Sequence, residues 1–238
     1  MRNRFVIEVK NVGRFSEMVE ALLSQKASVP AMGAAIGFTG AGKTDTTIWL
    51  SNEFNAIHLR ASALWTPSGM MRALTKELGL TPKHGAMRMM EAAVDALAAN
   101  GKPLLVDEAD LIPKDSLLEV LRELHDVAHI PVVLIGTEAL KGRVQAIGPL
   151  SRRISHWMHF NPISIEDARF VADARCELDG EVSDDLLMKL HDQANGSIGK
   201  IVVGLEQIEK LCGQKRWTSI SLKQWEQGGQ PFFFDRAA

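Results

Sequence analysis

Apolar positions along this chain fall into two rhythms. Short, nearly unbroken apolar runs recur at Ala34–Phe38, Ala56–Arg60, Pro103–Asp107, Pro131–Ile135 and Ile154–Phe160, the pattern of strands buried on both faces. Between them the spacing lengthens to the helical period, with Met90, Ala93, Val94 and Leu97 inside 86–99 and Leu117, Leu118, Val120, Leu121 and Leu124 inside 115–127. Helices are also predicted over 43–54, after Thr66-Pro67-Ser68 through MMRALTKELGL, and over 138–146. Strand and helix in strict alternation predict a parallel five-stranded sheet sandwiched by helices. Beyond Asn161-Pro162 the strands stop, and 165–177, 183–194, 199–212 and 221–227 read as helices, with Thr218–Ser221 the one strand-like stretch. The expected organisation is an N-terminal extension over 1–30, an α/β body over 31–161, a small all-helical domain over 162–227 and a flexible tail over 228–238.

The first predicted strand ends in Gly37-Phe38-Thr39-Gly40-Ala41-Gly42-Lys43-Thr44, which fits GxxxxGK[ST] and opens a helix. The chemistry requires this order. Gly40 and Gly42 let backbone N–H groups close around a phosphate where a Cβ would intrude, and the helix start favours negative charge. Lys43 would reach the β- and γ-phosphates of ATP, Thr44 would offer a hydroxyl to Mg²⁺, and Asp45 completes the expected binding segment. The third strand delivers Asp107 and Glu108 at its end: Asp107 to hold Mg²⁺ beside Thr44, Glu108 to polarise the attacking water. Residues 107–110 spell Asp-Glu-Ala-Asp. A helicase of that signature needs two ATPase domains around one nucleotide and this chain has room for one, so the letters read as a strand end followed by a helix start.

Two further positions suit catalysis. Thr137 ends the strand Val132–Gly136; if that strand lies between those carrying Lys43 and Asp107, its hydroxyl faces the attacking water, and it is equally well placed to cap the helix EALKGRVQ. In Leu150-Ser151-Arg152-Arg153-Ile154, Arg152, or failing it Arg153, could reach a neighbouring subunit's γ-phosphate.

Composition adds exclusions. The 238 residues carry a net charge of −2, and no apolar run is long enough to span a bilayer, so the expected setting is cytoplasmic with no membrane contact. Cys176 and Cys212 lack metal-ligand spacing and read as reduced thiols. The near-neutral total conceals patterning: 60–102 has six bases against three acids, whereas 107–126 has seven acids against two bases. Such blocks are either solvated faces or one positive face on a nearly neutral protein.

The motif order GFTGAGKT, LLVDEAD, VVLIGT, LSRRI, followed by a helical lid, resembles the AAA+ ATPases. More narrowly, DEADLIPKDSLLEVLRELHD, PVVLIGTEALKGRV and ANGSIGKIVVGLEQ are similar to the DNA-transposition ATPases typified by the phage Mu B protein and the TnsC/TniB regulators. This resemblance implies an ATP-dependent protein that binds double-stranded DNA without sequence preference. It would assemble with itself as a ring or helical filament, recruit or activate a transposase, and disassemble on hydrolysis, in a bacterial or phage-infected host cell. Only 36 residues precede Gly37, so DNA contact is expected from the ATPase module itself. Family lids often place an arginine three residues after the lid glycine; counting from Gly196, that position is Gly199, and Lys200 follows as a substitute.

Candidate phosphate-backbone contacts are Lys76, Lys83, His84, Arg88, Lys141 and Arg143. The tail Pro231-Phe232-Phe233-Phe234 should tuck against its own lid or dock on a neighbour. The same ATPase parts would serve a replication initiator or helicase loader, whereas Glu108 and the Arg152 finger disfavour a small-molecule kinase.

Overall fold

The computed structural model describes residues 9–26, 28–178, 180–228 and 231–233. By contacts the chain divides into two compact units: one comprises Arg14–Phe38 and Lys43–Phe160, the other Met1–Gly13, Thr39–Gly42 and Asn161–Ala238.

The first unit is built on β1 (Met32–Gly37), β2 (Ile57–Arg60), β3 (Leu104–Asp107), β4 (Val132–Gly136) and β5 (Ile154–Phe160), all parallel in the order β2-β3-β4-β1-β5. The strand ladder runs Met32↔Val132 to Ile36↔Gly136 between β1 and β4, and Leu104↔Val132 to Val106↔Leu134 between β3 and β4. Every residue of β1, β3 and β4 is buried, which explains their unbroken apolar sequences. The crossovers are α2 (Lys43–Glu53), α3 (Pro67–Glu77), α4 (Ala86–Asn100), α5 (Asp115–Ala128), α6 (Glu138–Ala146) and the single turn α7 (Gly148–Ser151). Each expected strand is present; boundaries move by a residue or two. Thr66 caps α3 through its side chain, accepting from Gly69 N at 3.1 Å with Pro67 at the first helical position. On α5 the stripe Leu117, Leu118, Leu121, Leu124 is fully buried.

Residues 1–30 are expected to form an N-terminal extension. Within it, Lys10–Leu23 form a helix, α1. Its apolar face is Val12, Phe15, Met18, Val19 and Leu22, at helical spacing and buried. Phe15 packs edge-on against Phe160 of β5, ring centroids 5.6 Å apart. Gly33 permits the close approach of α1 to β1, since a Cβ there would lie 2.8 Å from Leu22 Cδ1. Gly13 in the helix interior and the small apolar residues of β1 blurred this packing in the sequence.

The second unit is helical: α8 (Ile165–Arg175), α9 (Asp184–Ala194), α10 (Ile198–Lys215) and α11 (Leu222–Gln227). Ser164 and Ser221 each form a reciprocal capping box, with Asp167 and Gln224. The strand-like stretch at 218–221 contributes only an isolated bridge, Val182↔Ile220. Phe232 is fully buried and stacks on Trp225, centroids 4.5 Å apart, so this part of the tail tucks against its own helices, while Phe233 is exposed. Phe234 lies outside the described residues.

Candidate nucleotide site

Parallel strands converge their carboxyl ends on one edge of a sheet, and ligands of open α/β folds bind there. In this sheet that edge carries, from neighbouring strands, Arg60 (β2), Asp107 and Glu108 (β3), Thr137 (β4) and Gly37 (β1). β4 does lie between β1 and β3, the arrangement on which the reading of Thr137 depended.

The loop after β1 has the form its glycines require. Gly40 and Gly42 take φ of +88° and +84°, a region that β-carbon-bearing residues rarely enter. Lys43, the first residue of α2, donates to the carbonyls of Gly37 at 2.7 Å and Phe38 at 2.8 Å. Burial pushes its ammonium below the ordinary lysine value, opposed by the carboxylates of Asp110, Asp107 and Glu138. Thr44 follows, half-buried, and Asp45 is exposed in the first turn. Within the helical unit, which takes in Thr39–Gly42, the Gly40 carbonyl accepts from Ser197 Oγ at 3.2 Å and Gly199 N at 3.1 Å. Ala41 is buried, and Lys200 is exposed in the first turn of α10.

Asp107 is 1% exposed. Its Oδ1 accepts the N–H of Glu108 at 2.8 Å, and its Oδ2, also buried, has no hydrogen-bond partner among the described residues. An orphaned carboxylate oxygen at a strand end is the donor that a hard divalent cation takes. Asp107 and the Thr44 hydroxyl therefore fit Mg²⁺, which when bound would neutralise charge on the β- and γ-phosphates.

Glu108 is held differently from the sequence expectation. Its backbone is left-handed, φ +54°, and its carboxylate sits in the guanidinium fork of Arg60, Oε2 to Nε and Oε1 to Nη2, both 2.8 Å. Arg60 pairs with Asp107 in the β2–β3 ladder, so the sheet register itself puts the fork there. This hydrogen bond holds the Glu108 carboxyl below the ordinary glutamate value.

Thr137 occupies the N-cap position of α6 yet makes no side-chain cap. Its hydroxyl donates to Asp110 Oδ2 at 3.1 Å and its N–H to Asp110 Oδ1 at 3.0 Å. Asp110 is the final residue of the Asp-Glu-Ala-Asp run. It and Arg60 are polar residues of this sheet edge that lie outside the predicted set. No periodicity marks either, because both earn their place through the alignment of separate strands.

Arg152 and Arg153 lie just before β5, at the opposite edge of the same sheet. Arg152 is exposed; Arg153 is bound to Asp126, Nε to Oδ1 at 2.9 Å. Of the DNA candidates, Lys76 on α3, Lys83 and His84 in the following loop and Arg88 in the first turn of α4 are all exposed. α3 and α4 pack together, which gathers these four on one helical pair. Lys141 is half-buried on α6, and Arg143 is bound to Asp115 and to the carbonyls of Asp110 and Ile112.

A family model for the AAA domain matches residues 26–144, half of the 238-residue chain. The chain belongs to the AAA domain family. As a P-loop ATPase domain of this kind it has structural neighbours that share the fold at low sequence identity. Cdc6p from Pyrobaculum aerophilum is 15% identical with a TM-score of 0.69, the match covering 90% of this chain and 65% of that one. The ORC1 protein of Aeropyrum pernix, solved in complex with DNA, is 17% identical, TM-score 0.61, covering 88% and 61%. The RuvB Holliday junction branch migration motor of Thermotoga maritima is 16% identical, TM-score 0.59, covering 89% and 65%. The AAA chain thus spans under two thirds of the length of each. No curated protein sequence matches it. Among the described residues no helix is long and apolar enough to cross a membrane.

Proposed function

We propose that this AAA domain is an ATP-switched, non-sequence-specific DNA-binding ATPase that assembles on target DNA and recruits or activates a transposase, hydrolysis driving its release. The observation that carries the ATPase part is the convergence of Lys43, the orphaned Asp107 and the Arg60-held Glu108 on one sheet edge. ATP would be bound through the 37–44 loop, with Lys43 exchanging its two loop carbonyls for phosphate oxygens. Glu108, once released by Arg60, would take a proton from the attacking water. Water oxygen then bonds to the γ-phosphorus as the bond to the ADP oxygen breaks.

Assembly is supported by the placement of Arg152. It sits at the sheet edge away from Lys43, a strand length of about 20 Å, so a finger role requires a neighbour's nucleotide. DNA binding is supported by the exposed basic group on α3 and α4, and the transposition role by the sequence similarity of residues 107–126, 131–144 and 194–207 to that ATPase group. A replication initiator or helicase loader is the second reading, favoured by the fold likeness to Cdc6p and ORC1.

Electron microscopy and ATP turnover, each with and without duplex DNA, test these readings. The expected result is DNA-stimulated turnover and long ATP-dependent assemblies. Short assemblies with a helicase as the captured partner favour the loader reading, and turnover indifferent to DNA sinks both.

A further inference from the structure

Asp110 joins two elements that the hydrolysis reading uses separately. It sits in the single 3-10 turn Ala109–Leu111 immediately after Glu108, and its carboxylate reaches across to β4. Oδ1 takes the Thr137 N–H at 3.0 Å and Oδ2 takes the Thr137 hydroxyl at 3.1 Å. The approach depends on Gly136, where a Cβ would run into Asp110 Oδ1. The turn is held from the other side by Arg143, whose Nη1 donates to the Asp110 carbonyl at 3.0 Å and the Ile112 carbonyl at 2.8 Å. The remaining guanidinium nitrogens bind Asp115 Oδ1, Nη2 at 2.7 Å. A planar fork satisfying three acceptors fixes the turn in a way a lysine could not.

The proton count on Thr137 has a consequence. A hydroxyl carries one proton and two lone pairs, and an ionised carboxylate only accepts. With its proton committed to Asp110, Thr137 faces the sheet edge purely as an acceptor. We infer that Asp110 is a positioning residue for ATP hydrolysis, setting Thr137 to accept an O–H of the attacking water. This rests on the ATPase reading above. In that geometry one water proton goes to Thr137 as a hydrogen bond and the other to Glu108 as a transferred proton. The water lone pair is left facing phosphorus. An outward-donating Thr137 would instead compete for that lone pair.

Asp110→Asn separates polarity from shape. The Thr137 N–H keeps the asparagine oxygen, which turns the amide NH₂ toward the Thr137 oxygen and forces the hydroxyl proton outward. The expected result is a fall in kcat on the order of 10²-fold, with the melting temperature unchanged. Thr137→Val should lose a similar amount, Thr137→Ser should retain activity, and the Asp110→Asn/Thr137→Val double variant should be no worse than Thr137→Val alone, because the two act as one unit. Parent-like turnover by Asp110→Asn beside an impaired Thr137→Val overturns the inference alone, as do multiplicative losses in the double variant. A parent chain with no ATP turnover overturns the ATPase reading itself. If Asp110→Asn does not fold, Arg143→Lys keeps the carboxylate and loosens the turn: reduced kcat at unchanged KM supports the inference, and parent kcat overturns it.

Discussion

At the scale of single residues, the Arg60–Glu108 pair decides whether the carboxylate proposed to activate water is free. Both nitrogens of the fork are engaged, and the glutamate lies on a left-handed backbone position that is itself uncommon for a side chain with a Cβ. Arg60→Gln is therefore expected to raise DNA-independent ATP turnover several-fold, while Arg60→Gln/Glu108→Gln should be inactive; steady-state phosphate release checks both. His125 gives a second residue-scale prediction. It is buried and its Nδ1–H donates to the Ile130 carbonyl at 2.7 Å, while burial holds its pKa below the ordinary value. Between that lowered value and about 6.5 the unfolded chain binds a proton that the folded chain refuses. Stability should accordingly fall as pH drops through this window, and urea midpoints of His125→Gln should show a flatter dependence. Cys176 is a third case: burial, with Glu209 adding to it, pushes its thiol up to about 12. Iodoacetamide at pH 8 should modify it only after denaturation, because the thiolate is the nucleophile.

At the scale of elements, the sequence made the sheet legible and left its flanks obscure. Unbroken apolar runs such as Val132–Gly136 have one reading, a doubly covered strand, and glycine spacing in 37–44 has one chemistry. The helix α1 escaped because its first N–H is capped from far along the chain, by Asp167 Oδ1 at 3.3 Å, so no local residue pattern marks its start. Its contribution is measurable: Phe15 is fully buried against Phe160, so Phe15→Ala should destabilise the chain by about 3–5 kcal/mol, read as a shift in denaturant midpoint. The roles of Asp110 and Arg60 stayed hidden for a different reason. Each is an ordinary charged residue until the β2–β3 register sets Arg60 opposite Asp107, or Gly136 lets Asp110 reach β4. Single-sequence patterns report burial; they do not report which strand ends meet.

At the scale of the whole molecule, the net charge of −2 conceals how the charges are distributed. Lys76 and Arg88 on the packed helices α3 and α4, and Lys83 and His84 in the loop joining them, are exposed, whereas the further candidate Arg143 is bound within the protein. Lys83→Ala/Arg88→Ala should weaken ATP-dependent duplex binding equally for all sequences and lower the salt slope by about 2; filter binding across salt concentrations checks this. If Arg152 acts on a neighbour, ATP turnover per chain should rise with protein concentration and Arg152→Ala should abolish that rise.

The strand order also bears on synthesis. β2, β3 and β4 can pair as they emerge, but β1 seats between β4 and β5, with Met32 meeting Val132 and Ile154. The first strand made must wait for roughly a hundred further residues before its partner exists. On the ribosome, β1 and the glycine loop it carries would stay unpaired until the second half of the sheet arrives. Nucleotide binding is then a sign of completed folding, and a nascent chain released before β4 should hold no ATP.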